Sequence, residues 1–181
     1  MHALIVFKLE SERLEGKNVR PFLGAPLWLW SYRWALAEDL DPIVYVEGDG
    51  DFDSRGIEHI RVGKKNGSHM DAIRGAAEGL DGNEKCVLLQ PTSPYRERGL
   101  AARMEKTIKD RPVISGVRKK SANGYSLFDS GVIYGFTPSM LYRHIVGGYS
   151  DIMPLSDDPR YCFDINTEAD FKAMEAIYDL R

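Results

Sequence analysis

The stretch Lys8-Leu9-Glu10-Ser11-Glu12-Arg13-Leu14-Glu15-Gly16-Lys17-Asn18 follows the first apolar run of the chain and sets three cations close together. A loop of this kind can surround a triphosphate, because backbone N–H groups and the ends of Lys and Arg supply charge-assisted hydrogen bonds. The same residue types also suit a solvated charged loop, so taken alone the stretch leaves both readings open. It carries neither G-x-x-x-x-G-K-[ST] nor G-x-G-x-x-G, which removes support for a P-loop or a dinucleotide-binding turn. A second polar group lies in Leu88-Leu89-Gln90-Pro91-Thr92-Ser93-Pro94-Tyr95-Arg96. Its prolines fix a rigid turn after a buried run and leave Gln90, Thr92, Ser93 and Arg96 as polar probes. A strand-to-helix connection capped by Ser93 or Thr92 accounts for the prolines but not for the flanking Gln and Arg.

Other constellations carry less. Asp49-Gly50-Asp51-Phe52-Asp53 begins like a calcium loop, but Ser54 stands where Gly is required and Ile60 where the bidentate Glu belongs. His2, His59, His69 and His144 show no metal spacing with the cysteines. His69 is either a nucleotide contact beside Ser68 or a solvated residue at a helix start. Trp30 and Trp34 are four apart and share a helix face, as packing residues do. No Ser-His-Asp order or cysteine nucleophile context emerges.

The elements that must position these groups follow from periodicity. Apolar runs at Ala3–Phe7, Pro42–Val46, Cys86–Leu89, Pro112–Ser115 and Val132–Tyr134 predict strands buried on both faces. Pro26–Asp39, His69–Leu80, Arg98–Lys109 and Thr167–Leu180 have helical patterning. In the last, Phe171, Met174 and Tyr178 share a face and Thr167 is the expected N-cap. Loops are expected at Lys8–Arg20, Gly48–Gly56, Gly63–Ser68, Gln90–Arg96, Arg118–Asp129 and Gly147–Pro159. Alternating strands and helices imply an α/β layered fold with a mostly parallel sheet, right-handed crossovers and a ligand site at the carboxyl ends of the strands.

Composition sets the outer bounds. The chain has 181 residues, with 24 Lys plus Arg against 27 Asp plus Glu and a formal charge of −3. That length suits one domain over residues 1–181, with a core that needs no disulfide or metal. The acidic balance excludes a protein that holds nucleic acid through a broad basic field. Two cysteines are too few for a disulfide scaffold. The apolar run at Ala3–Phe7 is shorter than a signal-peptide core, and no segment approaches the ~20 apolar residues of a membrane span. A cytoplasmic protein without membrane or nucleic-acid partners is expected.

Gln90-Pro91-Thr92-Ser93-Pro94-Tyr95-Arg96 resembles the Q-P-T-S-P-L-R motif of the CMP-sugar cytidylyltransferases, the family acting on acylneuraminate and 3-deoxy-manno-octulosonate (Kdo). The loop Lys8–Asn18 resembles that family's R-x-G-S-K-R-L-P-G-K-N, matching at Ser11, Arg13, Leu14, Gly16, Lys17 and Asn18. Phe163-Asp164-Ile165-Asn166-Thr167-Glu168-Ala169-Asp170-Phe171 is similar to D-I-D-T-x-x-D-F, and Ser130-Gly131-Val132-Ile133-Tyr134 to N-G-A-I-Y. The matches fall in family order over nearly the whole chain. The resemblance implies a Rossmann-like three-layer nucleotidyltransferase fold, CTP and Mg²⁺, and attack of a sugar-acid hydroxyl on the α-phosphorus with release of pyrophosphate. It implies that Lys17 and Asp164 are catalytic. Lys8, Ser11, Arg13, Lys17, Asn18, Arg61 and Ser68 would bind nucleotide, and Gln90 and Arg96 would face the acceptor. Asp164 and Asn166 would hold the metal.

The departures are specific. Glu10 and Glu12 stand at the family's glycine and lysine positions, Lys8 replaces its first arginine, and Asn166 replaces its second metal-binding carboxylate. The two glutamates repel a triphosphate unless they point outward or pair with Arg13 and Arg20, and they help if one holds Mg²⁺ or a cationic acceptor. Asn166 keeps a carbonyl oxygen for a hard cation but loses a charge. A relative that binds nucleotide or sugar acid without turnover is therefore the alternative function. A glycosyltransferase of similar sheet topology is a third, disfavoured because Gln90–Pro94 stands where its D-x-D would be. The family's extended dimerisation arm is reduced to Arg118–Asp129, which implies an open acceptor pocket and a monomer or a dimer of small interface. Light scattering checks this: a monomer or a concentration-dependent weak dimer is expected, and a tight dimer through this segment contradicts the reading.

Overall fold

The computed structural model describes the chain except for residues 12, 64–66, 122–123, 142–149, 157 and 180–181, and describes the backbone alone at 118–121, 124–128, 159 and 179. At its centre lies β1 (His2–Lys8), whose Ala3–Phe7 run is buried. It pairs in parallel with β4 (Asp41–Glu47) on one side and β6 (Cys86–Leu89) on the other. Between β1 and β4 come the two-residue strands β2 (Pro21–Phe22) and β3 (Ala25–Pro26), which form a small hairpin, and helix α1 (Leu27–Ala37). Then follow β5 (Ile60–Gly63), α2 (His69–Ala76), α3 (Leu100–Thr107), β7 (Val113–Ser121), β8 (Gly124–Phe136), α4 (Pro138–Leu141), β9 (Asp151–Pro154) and α5 (Glu168–Asp179). The seven-stranded sheet has the order β5-β4-β1-β6-β8-β7-β9. β8 is antiparallel to both β6 and β7, and every other pair is parallel. The expected mostly parallel α/β sheet is therefore present.

Successive strand residues face opposite sides, which assigns the helices. Phe7 stacks on Trp28 of α1 with ring centroids 5.7 Å apart. One position back, Val6 is in register with Tyr45 of β4, whose ring packs against Gly75 of α2. Helices α1 and α2 thus cover opposite faces. At the end of α1, Glu38 accepts from the backbone N–H of Gly99 at 3.0 Å and Ala101 at 3.4 Å, which brings α3 onto the α1 face. The steps from β1 to β4 and from β6 to β7 run in opposite directions across the sheet with their helices on one face, so they have opposite hands. Uniformly right-handed crossovers, expected from the alternation, do not hold for β6 to β7. Arg96 supplies a cause: its guanidinium donates to Ser31 of α1 and lies over Trp34, drawing the turn after β6 onto that face.

Three further differences from the sequence reading concern elements. Of residues Arg118–Asp129, expected as a loop, 118–121 and 124–129 are the far part of the β7–β8 ladder, paired from Gly116↔Asp129 to Ser121↔Gly124, and 122–123 lie outside the described residues. The polar composition of this stretch hid a strand whose pairing is backbone to backbone. The expected loop Gly147–Pro159 contains β9, parallel to β7, with 147–149 outside the described residues. Edge strand β5 lacked an apolar run and was not anticipated. The C-terminal helix follows expectation. Thr167 Oγ1 accepts from Asp170 N at 3.2 Å while the Asp170 carboxylate accepts from Thr167 N at 2.8 Å. Phe171 and Met174 enter a second core with Phe22, Leu27, Tyr95 and Ile165. Among the described residues no helix is long and apolar enough to cross a membrane.

The contact between α2 and β4 admits no side chain. A Cβ at Gly75 would lie 2.5 Å from Tyr45 Cε2, and one at Gly63 would lie 2.0 Å from Tyr45 Oη. Gly→Ala inside a helix ordinarily stabilises by about 1 kcal/mol. Here Gly75→Ala is expected to destabilise by about 1–3 kcal/mol in urea unfolding, and the sign should revert in a Tyr45→Leu background.

Candidate nucleotide cleft

A cleft of about 780 Å³ opens at the carboxyl ends of β1, β4 and β6. Its walls are Lys8, Glu10, Ser11, Arg13, Glu15, Lys17 and Asn18 from the loop after β1, and Glu47 and Gly48 from the end of β4. His69 from the start of α2, Gln90–Thr92 after β6, and Asp164 and Asn166 before α5 complete it. Tight local turns set the loop's path: Lys17 N donates to Leu14 O, and Val19 N and Arg20 N donate to Gly16 O. Gly16 takes φ +59°, a left-handed conformation that glycine adopts without strain. Asn18 is 6% exposed and closes the loop on itself, its Nδ2 donating to Lys8 O at 2.9 Å while its backbone carbonyl receives Trp28 N of α1. Its Oδ1 is buried with no hydrogen-bond partner among the described residues.

At the Lys17 end of the cleft the loop is joined to the segment before α5. Lys17 Nζ donates to Ile165 O at 2.9 Å, and Ile165 N donates to Thr92 O at 2.8 Å. Arg13 donates to Asn166 Oδ1 at 3.1 Å, and Asn166 Nδ2 donates to Asp164 Oδ2 at 2.7 Å. Burial pulls the Lys17 ammonium below its ordinary value; Asp164 opposes this, Arg13 adds to it and Asp170 opposes it. Glu10 is exposed and lines the cleft, and Glu12 lies outside the described residues. Lys17 and Glu10 both line the cleft, with the Lys17 amine seated on Ile165 O.

At the other end lies a group that the motifs did not single out. Glu47, the last residue of β4, has a side chain only 3% exposed, and Lys8 Nζ stands 3.3 Å from its Oε1. Among the described residues neither carboxylate oxygen has a hydrogen bond of good geometry. Lys8 Nζ also donates to Gly67 O at 3.3 Å, so this cation ties together β1, β4 and the approach to α2. His69 lies 3.4 Å from Gln90 Nε2 through its Nε2. Crowding by the cleft wall, and then Lys8, hold its imidazole below the ordinary value, with Glu47 opposing. An acidic residue ending the apolar run Ile43–Val46 was the signal for Glu47, since the carboxyl ends of parallel strands carry sites.

Three residues expected at the site are placed elsewhere. Arg61 donates to the carbonyls of Gly75 at 3.2 Å, Ala76 at 2.9 Å and Glu78 at 2.7 Å, completing the C-terminal end of α2. Ser68 is the N-cap of α2, accepting from Asp71 N at 3.1 Å within a capping box. Arg96 is 6% exposed and donates to Val132 O, Ser31 Oγ and Gln90 O. Burial pushes its guanidinium down to about 9, so it stays charged at neutral pH. It braces the turn from behind and does not line the cleft, whereas Gln90 does. Lys8, Ser11, Arg13, Lys17, Asn18, Asp164 and Asn166 are brought together.

The fit to a hard cation is partial. Among the described residues no three His, Cys, Asp or Glu side chains cluster as a metal-holding group. Asp164 is exposed at the cleft and supplies a carboxylate of the kind Mg²⁺ uses together with phosphate oxygens and water. Asn166 presents its carbonyl oxygen to Arg13, so the expected second ligand is a bridge between Arg13 and Asp164.

Lys8→Met leaves the buried Glu47 carboxylate without its cation and is expected to cost about 2 kcal/mol in urea unfolding at neutral pH, less than a fully buried pair because Lys8 is half exposed. Adding Glu47→Gln should recover much of the loss.

The sequence matches no protein-family model and no curated protein sequence. Solved structures do resemble the chain. A CMP:2-keto-3-deoxy-manno-octonic acid synthetase complexed with CTP superposes with a TM-score of 0.75 at 14% identity, covering 99% of this chain and 98% of the other. A cytidylyltransferase from Leptospira borgpetersenii gives 0.71 at 18% identity over 99% of this chain and 87% of the other. A Bacillus anthracis protein assigned as a glucose-1-phosphate thymidylyltransferase, in complex with sucrose, gives 0.70 at 12% identity over 97% and 94%. The chain has the fold of these nucleotidyltransferases, and the resemblance carried by its motifs extends to their tertiary structure.

Proposed function

We propose that the chain is a nucleotidyltransferase that moves CMP from CTP to the hydroxyl of a sugar acid and releases pyrophosphate. The observation that carries this reading is the convergence of Lys17 and Arg13 with Asp164 in one cleft at the carboxyl ends of β1 and β6. The motif resemblance adds cytosine and the sugar acid, and the solved structures of the same fold include one complexed with CTP.

The acceptor oxygen bonds to the α-phosphorus, the bond to the bridging oxygen breaks, pyrophosphate leaves with the electron pair, and the hydroxyl proton passes to water in the open cleft. Such a reaction asks mainly for positioning and charge stabilisation. Lys17 and Arg13 exchange Ile165 O and Asn166 Oδ1 for phosphate oxygens, and Asn166 keeps Asp164 oriented. Asp164 would hold Mg²⁺, which when bound neutralises the phosphate charge. Glu47 draws Lys8 toward the floor, away from the Lys17 end, so Lys8 serves the nucleoside side of the ligand more than its phosphates. Gln90, beside His69, offers polar groups to ribose or acceptor.

A second reading, nucleotide or sugar-acid binding without turnover, is favoured by Glu10 and Glu15 in the cleft wall and by Asn166 at a carboxylate position. Pyrophosphate release from CTP with Mg²⁺ and a panel of sugar acids separates the two. Release is expected, and Lys17→Ala and Asp164→Ala should each lower kcat about 10²–10³-fold. Calorimetric binding of CTP with no release from any acceptor selects the second reading, and binding of neither CTP nor acceptor defeats both.

A further inference from the structure

Among the described residues, three side-chain hydrogen-bonded contacts join the loop after β1 to α5 and the segment leading into it, beside the packing of Leu14 on the second core. Two of them, Lys17 to Ile165 O at 2.9 Å and Arg13 to Asn166 Oδ1 at 3.1 Å, use cations that line the cleft. Any phosphate entering the cleft competes for those donors. The third contact is built differently. Arg20 engages Glu168 through both guanidinium ends, Nη1 to Oε2 and Nη2 to Oε1, the latter at 2.9 Å. The guanidinium also lies 4.5 Å from the ring centroid of Phe171, a residue 1% exposed in the second core. Neither Arg20 nor Glu168 lines the cleft.

Both partners are rooted in rigid structure. The Arg20 backbone receives Leu27 N at the entry to α1 and donates to Gly16 O. Glu168 lies in the first turn of α5, directly after Thr167 and within the Thr167–Asp170 capping box, where the helix end favours a carboxylate. The bidentate geometry holds the guanidinium plane as well as its distance. The neighbouring charges are Lys172, 3.9 Å from Glu168 Oε1, and Glu175 on the next turn of α5.

We propose that Arg20 and Glu168 are positioning residues whose ion pair survives when Arg13 and Lys17 transfer to phosphate, and that together with Leu14 packed on the second core they hold the loop at its distance from Asp164 throughout ligand exchange. The proposal rests on the nucleotide reading above. Without this pair, no side-chain hydrogen bond among the described residues would tie the loop to α5 at the moment Arg13 and Lys17 were needed, leaving Leu14 packing to hold it, and part of the binding energy would go into re-ordering it. With the outer anchor in place, the two cations change partners over a fixed backbone. Loss of the anchor therefore weakens nucleotide binding and raises KM while leaving kcat at saturation close to wild type.

The test compares Arg20→Gln, Glu168→Gln and the exchanged pair Arg20→Glu with Glu168→Arg, each as the full chain. Backbone hydrogen exchange over residues 9–19 is measured in the free protein, and the Kd of Mg·CTP by calorimetry. Each single variant should exchange about tenfold faster in this loop and bind about tenfold more weakly, with its unfolding midpoint within about 2 °C of wild type. The exchanged pair should return both readouts to within about threefold of wild type. Single variants that match wild type in exchange and affinity overturn the anchor. An exchanged pair no better than the singles also overturns it, because a specific Arg–carboxylate contact was the claim. A wild-type protein that binds no Mg·CTP overturns the nucleotide reading and the positioning role with it, and the exchange data then report the anchor separately.

Discussion

The cleft depends on a single buried residue. Ile165 is fully buried against Phe22, Leu27, Tyr95, Phe171 and Met174, and its peptide groups point in useful directions as a result. Its N–H donates to Thr92 O in the turn after β6, and its carbonyl receives the Lys17 amine from the loop after β1. Three pieces of chain far apart in sequence meet at that residue. The apolar side chain supplies the energy and the peptide supplies the direction, so packing in the second core sets the geometry of polar groups on the cleft wall.

Charge in the cleft is arranged in pairs and not in a field. Lys8 faces Glu47, Arg13 reaches Asp164 through the Asn166 amide, and Lys17 rests on a carbonyl near Asp164. A free cation-lined hollow would repel itself, whereas these donors are held by acceptors that a phosphate can displace. The buried Glu47 carboxylate is the least satisfied group of the site, and it makes the inner end less welcoming to phosphate than the Lys17 end. Polarity along the cleft thus separates an end floored by a buried carboxylate from an end lined by Lys17 and Arg13.

The resemblance to cytidylyltransferases transfers unevenly across the molecule. Lys17, Asn18 and Asp164 stand together as their motifs imply, because short motifs at strand ends are placed by the strands themselves. Arg61 and Ser68 keep the expected residue types but serve the two ends of α2, where unpaired backbone groups compete for them. Arg96 occupies the last position of the Q-P-T-S-P motif and works behind the turn, buried between α1 and β8. A motif letter therefore fixed the path of the backbone at these places without fixing which side of it the side chain takes.

Periodicity and turn chemistry were enough to read the central strands, α1, α2, α3, the Thr167-capped α5 and the end of the sheet at which the cleft opens, since those depend on neighbours close in sequence. The β7–β8 hairpin, edge strands β5 and β9, and the hand of the β6-to-β7 crossover were not legible, because each is settled by pairing or packing with distant chain. The same division runs through the site. Residue types in the loop after β1 already specified a cationic stretch able to meet phosphate. That Lys8 would be engaged by Glu47, Arg13 by Asn166 and Arg20 by Glu168 was decided by folding, which alone determines the separations on which ion pairs and hydrogen bonds depend.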